Sequence, residues 1–227
     1  VGGQTGASMI GLRSYVEYNL WSNTWWVPDG GTYWPWMVTP RTMAALAGPT
    51  TRICQPSILN NCFHFMVSGG YNGSALNTSE FSDGLGSWFA GPPMITARYD
   101  HVAVMVGSRY YVIGGRDASG NALSTTAYCN VYLDYNGNFK TTPWVAGPPL
   151  PAGAGRYGAA AAVLNGKVFV MGGAASTQVR PEVYVLDLAS YTWSQGRNLD
   201  VPVFQSAATV VNGTIYLVGG DKGNPAG

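Results

Sequence analysis

The sequence predicts an all-β fold built from a four-stranded unit that repeats along the chain. Three observations carry that prediction. A short apolar run ends in Gly-Gly five times, at Gly2-Gly3, Gly69-Gly70, Gly114-Gly115, Gly172-Gly173 and Gly219-Gly220. A turn dipeptide stands at one fixed place before three of these pairs: Gly107-Ser108, Asn165-Gly166 and Asn212-Gly213. Each of the first four diglycines is followed downstream by a tryptophan, in turn Trp25, Trp88, Trp144 and Trp193. Self-similarity at a recurring phase is the signature of units that bury their faces against one another.

Each strand of the unit has its own reason. Asn-Gly is the favoured two-residue hairpin turn because both positions require positive φ. The run before it and the run ending in Gly-Gly are therefore strands one and two. The second-strand leads are near copies: Tyr111-Val112-Ile113, Phe169-Val170-Met171 and Tyr216-Leu217-Val218. In the clearest unit the four strands are predicted over 158–164, 167–171, 182–187 and 192–195. First strands such as 101–106 are continuously apolar, as expected for a sheet buried on both faces. No convincing helix stands out; the best stretch, 41–47, is stopped by Gly48-Pro49.

An arginine precedes three of the strand pairs: Arg41, Arg98 and Arg156. Arg98 stands as far before Gly114 as Arg156 stands before Gly172. The stretch from Arg41 to Gly69 is longer, so an insertion falls there. The fourth unit carries Phe204 near the expected arginine position. The repeat length varies: Gly69 to Gly114 is the shortest step between diglycines, and Gly2 to Gly69 the longest.

These motifs resemble the kelch family of β-propellers. The resemblance rests on the five diglycines, on Tyr184 with Trp193, on Tyr132 with Trp144, and more loosely on Tyr18 with Trp25. It covers almost the whole chain and implies a propeller of four-stranded blades. The unit with Ser79-Glu80-Phe81-Ser82, where Val-Tyr-Asp is expected, departs most. The phase gives three whole blades, 36–90, 95–146 and 150–195. Flanking them are two complementary half-blades, 1–30 and 203–220. The halves can complete one another, closing a four-bladed ring as propellers commonly do at their termini. Alternatively they belong to different blades of a larger propeller, since kelch rings usually have more than four. The chain carries no signal peptide and opens inside a motif, which reads as a mature product, a fragment, or the ordered part of something longer.

Composition narrows the function. Charged residues make up 10% of the chain and the net charge is +1, with no Lys/Arg cluster of the kind a nucleic-acid surface needs. No apolar run approaches the length that spans a bilayer as a helix. The 46% hydrophobic content, with 8 Trp and 14 Tyr, speaks for a packed core. Cys54 and Cys62 bracket part of the insertion and form a candidate disulfide that would staple a hairpin loop. Cys129 is expected buried in a strand. Asn72, Asn77 and Asn212 head Asn-x-Ser/Thr sequons and are candidate glycosylation sites. Together these features point to a secreted or cell-surface protein.

Signals for catalysis are weak. There is no Gly-x-Ser-x-Gly elbow, no Cys-x-x-Cys, and no glycine-rich loop leading into a helix. His101 reads as a satisfied histidine at a blade edge, and His64 as a strand residue. Some kelch-like propellers resemble galactose oxidase, which needs two His, two Tyr and a thioether Cys at the ring axis. Cys129 and the tyrosines supply residue types, but no Tyr-His pair of the expected kind is present. The expectation is a structural or binding module without catalysis, cofactor or metal. Its partners would be proteins, glycans or copies of itself, with no nucleic acid and no membrane insertion. A copper-radical or sugar-active enzyme and an intracellular kelch adaptor are the alternatives. Five tryptophans fall within 21–36, and Trp26 and Trp34 are the candidate exposed binding aromatics.

Overall fold

The computed structural model describes residues 17–19, 24–26, 37–49, 53–54, 62–63, 65–82 and 87–223. All of its regular structure is strand. A two-stranded ladder of β1 (Glu17–Asn19) and β2 (Thr24–Trp26) comes first. The next sheet orders β3 (Ala45–Ala47), β6 (Phe65–Ser68), β7 (Ser79–Ser82) and β8 (Trp88–Ala90). Between β3 and β6 the insertion forms its own short hairpin, β4 (Ile53–Cys54) with β5 (Cys62–Phe63). The following sheet runs β9 (Val102–Val106), β10 (Arg109–Ile113), β11 (Thr126–Leu133), β12 (Phe139–Thr141), with β13 (Val145–Ala146) also on β11. Next comes the sheet of β14 (Ala160–Leu164), β15 (Lys167–Met171), β18 (Val183–Asp187) and β19 (Thr192–Gln195), with a small hairpin of β16 (Ala174–Ala175) and β17 (Gln178–Val179) in its loop. The last ladder pairs β20 (Ala207–Val211) with β21 (Thr214–Val218).

The turn chemistry explains the registers. Asn165 and Gly166 have φ of 51° and 71°, and Asn212 and Gly213 have 49° and 73°, so both central positions are left-handed as an Asn-Gly hairpin requires. In the β14 sheet the predicted strands hold within two positions at either end. The first begins at Ala160 rather than 158 because Gly158 is left-handed, at φ 58°, and its N–H leaves the ladder to donate to Asp100 O. The segment 41–47 contributes β3 and no helix.

Packing between sheets accounts for the apolar runs. On β10, Tyr110 and Val112 pack toward the β6–β7 sheet with Met66 and Phe81. The alternate residues Tyr111 and Ile113 pack toward the β15–β18 sheet with Val168, Val170 and Leu186. All four β10 side chains are at most 2% exposed. A strand buried on both faces gains nothing from polar alternation. The first strands β3, β9, β14 and β20 pack side by side in succession, so the sheets are arranged around a common inner edge. Two tryptophans tie their sheets to the preceding link: Trp144 Nε1 donates to Pro92 O at 2.9 Å and Trp193 Nε1 to Pro148 O at 2.8 Å.

Candidate functional site: an aromatic rim at the mouth of the inner strands

Three buried arginines build the rim. The side chain of Arg41 donates to Gly69 O at 2.7 Å, Arg98 to Gly114 O at 2.8 Å and Arg156 to Gly172 O at 2.8 Å. Each reaches also to the start of its third strand, at Thr78 O, Thr125 O and Glu182 O. The guanidinium thus locks the end of strand two to the approach of strand one, which explains why Arg98 and Arg156 stand at the same spacing from their diglycines. The arginine's own carbonyl accepts from the preceding unit: Gly70 N to Arg98 O and Gly115 N to Arg156 O, both 2.8 Å. Gly173 N makes the same bond to Val203 O. The fourth unit therefore carries Val203, not Phe204, at the arginine position.

The residue after each arginine, or after Val203, pairs with the residue after a diglycine. These bridges are Thr42 with Tyr71, Tyr99 with Arg116, Tyr157 with Ala174, and Phe204 with Asp221. They bring one stripe of side chains to the mouth of the inner strands. Tyr71 meets Tyr99 edge-on at 5.3 Å, Arg116 lies 3.6 Å over the Tyr157 ring, and Tyr157 meets Phe204 edge-on at 5.8 Å. Tyr99 is 5.9 Å from the Arg116 guanidinium. Asp100 pairs with Arg116 at 3.6 Å, while its backbone joins Met43 and Gly158. Burial raises the Asp100 carboxyl above its ordinary range, and Arg116 opposes that rise. Tyr71, Tyr99, Asp100 and Arg116 remain partly exposed, so the stripe offers rings, a cation and an anion to a partner. Beside it stand the polar turns that follow the diglycines, one with Asn72-Gly73-Ser74 at its tip. Another is pinned by Asp117, which accepts from Ser119 N and Asn121 N.

None of the described sequence-predicted residues belongs to the stripe itself. Cys54 and Cys62 are bonded to each other across the β4–β5 hairpin. Asn72, Asn77 and Asn212 are all exposed, Asn72 beside the rim and Asn212 in the β20–β21 turn. Trp26 is in β2, while Trp34 and His64 lie outside the described residues. Cys129 is buried in β11, its thiol pushed up to about 12 by desolvation. His101 is buried with Nε2 2.9 Å from Ser68 Oγ, which in turn lies 2.9 Å from Tyr110 OH. Among the described residues no three His, Cys, Asp or Glu side chains gather as a metal site. Tyr71, Tyr99 and Arg116 were legible as the neighbours of the diglycines and arginines, a signal that attention to the glycines themselves passes over.

The KLHDC2/KLHL20/DRC7 kelch-repeats domain model matches residues 64–226. The chain belongs to the kelch-repeat family. It is 29% identical over 136 residues to the kelch repeat protein M-T8 of myxoma virus, covering 59% of this chain and 24% of that one. It is 32% identical over 136 residues to kelch domain-containing protein 3 of Bos taurus, covering 54% and 35%. It is 26% identical over 165 residues to beta-scruin of Limulus polyphemus, covering 69% and 18%. The chain thus spans about a third or less of the curated relatives it matches. The structure of YjhT superposes with a TM-score of 0.70 at 12% identity, over 93% of this chain and 69% of that one, which shows the propeller fold alone. Kelch-repeat proteins generally mediate protein binding, and most are not enzymes.

Proposed function

We propose that this chain is an extracellular protein-binding module that engages its partner through the rim of Tyr71, Tyr99, Asp100 and Arg116, the last seated on the buried Tyr157 ring. The observation that carries the reading is the unbroken contact of rings and guanidinium across successive units. Tyr and Arg are the side chains most enriched where a few residues dominate binding energy. The Arg116 guanidinium sits on a ring and beside a carboxylate, so it is held in place before any partner arrives, which lowers the entropy cost of docking. The Cys54–Cys62 bond and the exposed sequons support an oxidising, secretory setting. Copies of the chain and glycans are further partners of the same exposed aromatic surface.

The test has two arms. Crosslinking on the source cell surface, followed by mass spectrometry, identifies the partner. Tyr99→Ala with Arg116→Ala is then expected to weaken that pair by about a hundredfold, the scale of two anchor residues. Retained binding in the double variant sinks the rim as the site. Intact mass with and without reduction and deglycosylation addresses the compartment: a free Cys54–Cys62 thiol pair and bare sequons in the native protein would overturn the extracellular setting.

A further inference from the structure

The three arginine clamps are equivalent except in what covers the guanidinium. The equivalence is fixed by hydrogen bonds: Gly69, Gly114 and Gly172 donate to Thr78 O, Thr125 O and Glu182 O, and two positions further on stand Glu80, Ala127 and Tyr184. Strand pairing agrees, since Glu80 faces Ala90, Ala127 faces Ala146 and Tyr184 faces Gln195. In the first of these units the Glu80 carboxylate pairs with Arg41 and accepts from Val38 N and Thr39 N at 2.5 and 2.9 Å. In the third, the Tyr184 ring lies 4.5 Å under Arg156, and Glu182 stands 3.7 Å away. In the second, the covering residue is a methyl group.

The consequence is a cleft of about 270 Å³ beside Ala127, lined by Ile95, Thr96, Arg98, Thr126, Ala127 and Pro149 among others. Ile95 and Thr96 are the counterparts of Val38 and Thr39, whose N–H groups hold the Glu80 carboxylate. Arg98 is 1% exposed, and no carboxylate pairs with it among the described residues. Its Nε has no hydrogen-bond partner, whereas the Nε of Arg41 and Arg156 donate to Thr39 O and Ala154 O. Thr126, which also lines the cleft, has its Oγ1 buried without a partner too. A buried cation without an anion is costly, and burial alone lowers Arg98 to about 10. Apart from Thr96 and Thr125, the remaining walls are apolar: Ile95, Ala127, Ala146, Gly147 and Pro149.

We propose that this cleft is a receptor for a small monocarboxylate with a short apolar tail, whose carboxylate takes the place that Glu80 fills in the neighbouring unit. The cleft uses none of the exposed rim residues Tyr71, Tyr99, Asp100 and Arg116, and neither reading depends on the other. An anion here would gain charge-assisted hydrogen bonds from a guanidinium already fixed by Gly114 O and Thr125 O. The cleft admits a body of a few carbons, below the usual size of drug-sized pockets.

The experiment titrates the chain with isobutyrate and, separately, with the uncharged isobutyramide at constant ionic strength, following backbone amide shifts by NMR. Saturable shifts at Thr96, Ala127 and Gly147 are expected with isobutyrate, and at least about tenfold weaker binding of the amide. Ala127→Glu supplies the missing carboxylate internally and should abolish the response. Ala127→Tyr reproduces the third unit's cover and should do the same, which keeps the test decisive if one variant folds poorly. Equal binding of the amide, shifts that never saturate, or isobutyrate binding unchanged in the filled variants would each overturn the proposal.

Discussion

A guanidinium buried as fully as Arg41 or Arg156 persists because its N–H groups find acceptors in a fixed fork. That sets the cost of changing it. Arg156→Lys keeps the charge but cannot reach Gly172 O, Glu182 O and Ala154 O together. It is expected to lose about 2–4 kcal/mol of stability, read from urea unfolding. His101 sets a second residue-scale effect. Burial holds it neutral, its pKa well below 6.5, and the Arg98 and Arg41 charges act the same way. The unfolded chain therefore takes up a proton below about pH 6.5 that the folded chain refuses, so stability is intact above that pH and falls as pH drops through it. The slope is about 1.4 kcal/mol per unit at its steepest. His101→Gln, which can still meet Ser68, should flatten the profile below about pH 6.5. An unchanged slope in that variant would assign the acid sensitivity to other groups.

At the scale of strands and turns, the diglycine is a packing device as well as a turn. A Cβ on Gly69, Gly114 or Gly172 would lie 2.4–2.5 Å from a carbonyl oxygen of the next unit, whereas on Gly219 it would meet nothing. All four have positive φ, so alanine costs about 1–2 kcal/mol in backbone strain at each. Gly219→Ala should cost only that. Gly114→Ala must also push the Arg156 carbonyl away from its bond with Gly115, and should cost about 3–5 kcal/mol in the same unfolding assay. Equal costs at the two positions would mean the close approach carries no energy. This difference marks how far the sequence could be read. Turn dipeptides and glycine pairs located the strands of the β14 sheet closely, because those features are set by local φ preferences. The arginine's partners, the ring stripe and the Ala127 vacancy arise from contacts between segments that are distant in the chain. One chain of letters shows Glu80, Ala127 and Tyr184 only as unlike residues; the hydrogen-bond register makes them alternatives at one position.

At the scale of the molecule, the β9–β11 and β14–β18 sheets are covered on both faces, whereas among the described residues nothing covers the outer flank of β20 and β21. Ile215 and Leu217 pack inward against the β14–β18 sheet. Tyr216 and Val218 on the opposite face are 50% and 63% exposed, and Val211 is 48% exposed. β21 has no neighbour beyond β20 among the described residues, whereas its counterparts β6, β10 and β15 are each paired on both sides. The missing neighbour has the phase of a third strand. β1 and β2 form a ladder of the phase that third and fourth strands occupy, so they would complete the sheet in a closed ring; in a larger ring the strands of another blade would do so. Left uncovered, an apolar face beside an open edge is a template for pairing with another chain. The chain by itself is therefore expected to self-associate with rising concentration in sedimentation velocity. Tyr216→Lys with Val218→Lys places two like charges on that face without touching the inward residues, and should return the chain to monomer. Hydrogen exchange gives the independent reading: by hairpin register, the Ile215 and Leu217 amides face the open edge. They should exchange much faster than Val168 and Val170, which occupy the same places on β15 and are paired with Leu186 and Tyr184. A monomeric chain in which all four amides are equally protected would overturn this expectation and show the β1–β2 ladder closing the ring.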